Sequence, residues 1–88
     1  FDLEQELLEV AKKEMSVVGD RLGVDEADRH IEIGGTGHTI LRVAEELRVD
    51  LIILGSHGRH GLAALLGSTA RMVLNGAGCD VLAVRIKE

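Results

Sequence analysis

Asp50-Leu51-Ile52-Ile53-Leu54-Gly55-Ser56-His57-Gly58 is the stretch on which the fold turns. Leu51 to Leu54 is an uninterrupted apolar run stopped by glycine, which reads as a parallel-sheet strand covered on both faces. Upstream, Ile40, Leu41, Val43, Ala44 and Leu47 form the apolar stripe of an amphipathic helix. Downstream, Ser56 to Gly67 is a long glycine-rich connection with a helical turn at Leu62 to Leu66. Ser68 is expected to cap a further helix running through Asn75 and stopped by Gly76-Ala77-Gly78. Val81-Leu82-Ala83-Val84 is then the final strand.

The same reading extends toward the N-terminus. Arg29-His30-Ile31-Glu32-Ile33 alternates polar and apolar residues, the pattern of a half-buried strand. Before it, Leu3, Leu7, Leu8, Val10, Ala11, Met15, Val18 and Leu22 recur at helical spacing. Asp2 is placed to cap that helix and Gly23 to stop it. The order α-β-α-β-α-β predicts parallel strands joined by right-handed crossovers in one domain, residues 1–88. A chain opening with Phe on a helix, with no strand before it, reads as the later part of a doubly wound sheet lacking its first strand.

Composition narrows the function classes. The 88 residues are 45% apolar, which suffices for a core, and carry a net charge of −5. That charge, with Phe1 as the single aromatic, argues against nucleic acid as partner, because no basic patch or stacking platform is available. The longest apolar run, Leu62 to Leu66, is far too short for membrane insertion. A lone cysteine, Cys79, makes no internal disulfide and fits a cytoplasmic protein; its apolar setting reads as a small buried hydrophobe. His57 and His60 flank Gly58 but lack the further ligands that zinc needs, so no metal site is expected. Ser56 stands in Gly55-Ser56-His57-Gly58, whose spacing is not that of a serine nucleophile elbow, and no catalytic residue is assigned.

Glycine marks two of the three strand exits: Gly34, Gly35 and Gly37 after the first, and Gly55, Gly58 and Gly61 after the second. Glycine lets backbone N–H groups approach an anion closely, and Ser68 and Thr69 at a helix start add hydroxyls. Walker and dinucleotide fingerprints are absent, since no lysine lies between Lys13 and Lys87 and Ile40 replaces the third fingerprint glycine. Thr36 and Thr39 read first as helix caps, and the glycines equally as tight-turn residues.

Asp50 through Gly61, then Leu65-Leu66-Gly67-Ser68-Thr69-Ala70, then Cys79 through Arg85 resemble the C-terminal half of universal stress proteins. The resemblance reaches back through Ile40-Leu-Arg-Val-Ala-Glu-Glu. It implies a three-layer, doubly wound α/β sheet of the Rossmann-like, adenine nucleotide alpha hydrolase-like kind. It also implies ATP, with Mg, bound through phosphate contacts from Gly55, Gly58, Gly67, Ser68 and Thr69, with the Leu54 backbone near the ribose or adenine. Eight residues separate Gly58 from Gly67, one fewer than in the family's nucleotide-binding pattern. The alternative is the family's branch with an altered loop, a dimeric interaction module without nucleotide. Both readings expect a homodimer through Val81, Leu82, Ala83 and Val84, and at most weak ATP hydrolysis.

Overall fold

The computed structural model describes residues 2–57 and 67–86. They fall into two units, one ending at Ile33 and one beginning at Gly34.

The first unit is built on α1, Leu3–Leu22. Asp2 caps it as expected, its Oδ1 accepting the Glu4 N–H at 3.0 Å, while Glu4 and Glu6 lie in the first turn, where the helix dipole favours acids. Gly23 ends it at φ 69°, a left-handed position that glycine adopts without cost. The Val24 N–H reaches the Gly19 carbonyl at 2.9 Å and the Gly23 N–H the Asp20 carbonyl at 3.3 Å, closing a Schellman motif.

The expected strand at Arg29–Ile33 does not form. The chain makes a short 3₁₀ turn at Glu26–Asp28 and then runs on without a ladder partner among the described residues. Alternation supplies only a local preference; a strand also needs a neighbouring backbone to bond. Arg29 instead folds back on the end of α1. Its Nε donates to the Val24 carbonyl at 2.9 Å and a terminal nitrogen to Asp20 Oδ1 at 2.9 Å. The side chain is only 13% exposed, and its guanidinium occupies the place a Cβ on Gly19 would need.

The second unit is an α/β arrangement in the order α2 (Thr36–Leu47), β1 (Leu51–His57), α3 (Ser68–Gly76) and β2 (Asp80–Ile86). β1 and β2 pair in parallel from Leu51 opposite Asp80 to His57 opposite Ile86, so both strands run longer than their apolar cores. Where three parallel strands were expected, the described residues hold two. Ile52 opposes Val81 and Leu54 opposes Ala83, and all four are buried or half-buried. Ala70 and Val73 of α3 join Ile52 as buried core, with Val73 fully buried. Residues of the other face, Leu51, Ile53, Leu82 and Val84, are exposed, Ile53 by 63%, so among the described residues the strand is covered on one face, where its sequence suggested both. No helix among the described residues is long and apolar enough to cross a membrane.

Two glycines let α2 and α3 approach closely. A Cβ on Gly37 would stand 2.5 Å from Met72 Sδ, and one on Gly76 would stand 2.7 Å from Leu41 Cδ1. α3 ends at Gly76 with Ala77 as its C-cap, within the expected stop Gly76-Ala77-Gly78, and Gly76 is a packing position as well. Replacing Gly37 by Val should destabilise the protein by about 1–3 kcal/mol, the usual range for overpacking. Denaturant unfolding measures it, and an unchanged midpoint would show that α2 and α3 do not depend on this contact.

Candidate functional site

The direction of the chain brings two helix starts together. β1 ends where α3 begins, and α2 runs antiparallel to β1 before it, so the starts of α2 and α3 share the end of the sheet beyond the strand carboxyl termini. That is where open parallel sheets bind ligands. Gly35, Thr36, Gly37 and His38 of the first start and Ser68, Thr69 and Met72 of the second line one cleft of ≈ 190 Å³.

Neither helix is capped by a side chain. Gly35 and Gly67 are the N-caps, and Thr36 and Ser68 stand at the first helical positions. This corrects the assignment of Ser68, Thr36 and Thr39 as caps: a cap residue must keep extended backbone, and glycine holds that position in both helices. The first-turn N–H groups of a helix have no partner within it, so two helix starts that no described side chain caps, with their positive dipole ends, meet at one cleft.

Gly67 is informative because nothing among the described residues requires glycine there. Its φ of −61° suits any residue, and a Cβ built on it meets nothing within 4 Å among the described residues. Gly34 contrasts with it, since at φ 153° glycine is the residue that fits.

The expected site residues divide as follows. Ser68 is exposed and Thr69 half-buried at the cleft, with Gly67 beside them. Leu54 is half-buried, and Gly55 is exposed opposite Val84 near the end of β1. Gly58, with Arg59, His60 and Gly61, lies outside the described residues. Cys79 is half-buried at the start of β2, so the topology sets it at the other end of the sheet, in a separate cleft of ≈ 440 Å³ with Leu41, Arg48 and Val49. No group of three His, Cys, Asp or Glu side chains suited to a metal occurs among the described residues.

His38 and Met72 line the cleft without having been singled out in the sequence. Their signal was positional: His38 lies in the first helical turn after the glycines at 34 and 35, and Met72 one turn into the helix that Gly67 opens.

The model of the Universal stress protein family matches residues 1–85. The chain belongs to this family. It is 51% identical over 86 residues to Universal stress protein A homolog 2 of Coxiella burnetii, covering 98% of the chain and 59% of that relative. Universal stress protein A homolog 1 of the same organism is 41% identical over 87 residues, covering 99% of the chain and 60% of the relative. Universal stress protein E of Escherichia coli K12 is 35% identical over 72 residues, covering 81% of the chain and 23% of that protein. The chain thus spans about 60% of the length of its two Coxiella relatives. Membership in the universal stress proteins supports a role in the stress response.

Because Ser68 makes no cap bond, its hydroxyl should contribute little to folding. Ser68→Ala should change stability by less than about 0.5 kcal/mol, the range of a surface substitution. A capping serine would cost about 1 kcal/mol on the same change. Thermal unfolding of the two proteins decides between these.

Proposed function

We propose that this stress-response protein binds ATP, with Mg²⁺, by its phosphates at the paired starts of α2 and α3. Gly67 carries the reading: glycine stands where neither backbone conformation nor packing among the described residues calls for it, beside helix donors that no described side chain caps. A missing Cβ there leaves room for a phosphate to reach the backbone N–H groups. Ser68 and Thr69 add hydroxyl donors, and the family resemblance adds Gly55 and Gly58, the latter outside the described residues. The cleft of ≈ 190 Å³ is smaller than the roughly 300 Å³ at which small-molecule pockets begin. It suits phosphates, and the nucleoside is assigned to the end of β1 at Leu54 and Gly55. Bound Mg²⁺ would supply charge neutralisation along the phosphates.

Calorimetric titration of the full-length protein with MgATP tests this. Gly67→Val should weaken binding about tenfold or more, since its side chain keeps a charged group from approaching the backbone donors. Its unfolding midpoint should stay near the wild-type value, because the added side chain meets nothing described. No binding by the wild type at millimolar MgATP would instead favour the family's nucleotide-free interaction module.

We also infer a homodimer through β2. Its partner in the described sheet is β1 alone, which leaves the outer edge of Val81, Leu82, Ala83 and Val84 without a strand beside it. Apolar edges of this kind pair with other chains unless blocked. Backbone N–H groups alternate sides along a strand, so of Ala83→Pro and Val84→Pro one disturbs β1 and the other the outer edge. One variant should therefore sediment as a folded monomer. Dimerisation of both folded variants with wild-type affinity would place the interface elsewhere.

A further inference from the structure

Met72 combines three features. The residue is 38% exposed, it packs on Gly37 at the α2–α3 contact, and it lines the cleft between the two helix starts. Helical side chains lean toward the N-terminus of their own helix, so the thioether of Met72 lies over the turn of Ser68 and Thr69. The space for its sulfur exists because residue 37 has no Cβ.

We propose that Met72 is a peroxide-sensitive latch, whose oxidation to the sulfoxide loosens the α2–α3 contact and obstructs the cleft. In this step the thioether sulfur gives a lone pair to one oxygen of a hydroperoxide. The S–O bond forms as the O–O bond breaks, and the departing oxygen takes the proton and leaves as water or an alcohol. Sulfur is oxidised and the peroxide reduced, so no further reactant is needed.

The consequences follow from size and polarity. Sulfoxide formation turns a flexible apolar group into a bulkier, polar and chiral one. Against Gly37 the new oxygen has no room, because a single added carbon there already crowds the sulfur. Turned toward the cleft, it presents a strong acceptor to the uncapped N–H groups of Thr36 through His38 and Ser68 through Ala70. It then takes the donors and the space on which an anion depends. The second effect rests on the phosphate-binding reading; the first does not.

The experiment treats full-length wild type and Met72→Leu with hydrogen peroxide and locates sulfoxide by peptide mass spectrometry. Thermal unfolding and MgATP calorimetry are run before and after. Oxidised wild type should melt lower by about 2–4 °C or more. It should also bind MgATP about tenfold more weakly. Methionine sulfoxide reductase should restore both values, as befits a reversible modification. Met72→Leu, whatever its starting values, should respond to peroxide in neither, although it retains Cys79. Failure of Met72 to oxidise, or an unchanged melting temperature once it has, overturns the latch. An equal response in Met72→Leu overturns it too. If untreated wild type binds no MgATP, the nucleotide reading fails alone, and the melting arm still decides the latch.

Discussion

The parallel pairing of β1 with β2 is the constraint from which the second unit follows. Two parallel strands cannot be joined by a tight turn, so the chain must travel back along the sheet before β2 begins. α3 makes that return and buries Ala70 and Val73, which with Ile52 are the buried core, as it does so. α2, arriving at β1 from the same end at which α3 departs, must begin where α3 begins. The meeting of two helix starts is therefore a topological result, and the cleft between them follows from strand direction.

How closely those starts approach is a matter of side-chain volume. Gly37 accepts Met72 and Gly76 accepts Leu41, one contact near each end of the helix pair. With larger residues at both positions the helices would stand farther apart and the free N–H groups would no longer share one small cavity. Packing and the chemistry of the cleft are linked through these two missing side chains. The helix ends differ in character as well. α1 stops on Gly23 at φ 69°, whereas α2 stops on Arg48 at φ 53°, a left-handed residue that carries a Cβ at some energetic cost.

Much of this was legible in the chain itself. The apolar run at Leu51–Leu54 and the second at Val81–Val84 each fall within a strand, and the stripe from Ile40 to Leu47 lies within α2. Asp2 and Gly23 bound α1 as their local chemistry requires. Family motifs around Gly55, Gly67 and Ser68 pointed to the strand exit where the cleft opens. Local readings failed where the outcome depended on a distant partner. Arg29–Ile33 has strand-like alternation, yet Arg29 spends its donors on Val24 and Asp20. Gly76 does stand at the end of α3, as its local signal indicates, but its second role in admitting Leu41 depends on the other helix.

By itself, then, the sequence determined the α/β class, the family, the position of α1, α2, α3 and both strands, and the strand exit that carries the glycine and hydroxyl groups. These depend on period, capping and short motifs, all of which act over a few residues. Only the tertiary structure decided that the Gly35–His38 turn stands beside Ser68 and Thr69, and that Met72 packs on Gly37. It also decided that glycine, not serine or threonine, caps both helix starts. The physical reason is that contacts across some thirty residues of chain are set by strand direction and by the volume available between packed helices. No short window of sequence contains either quantity.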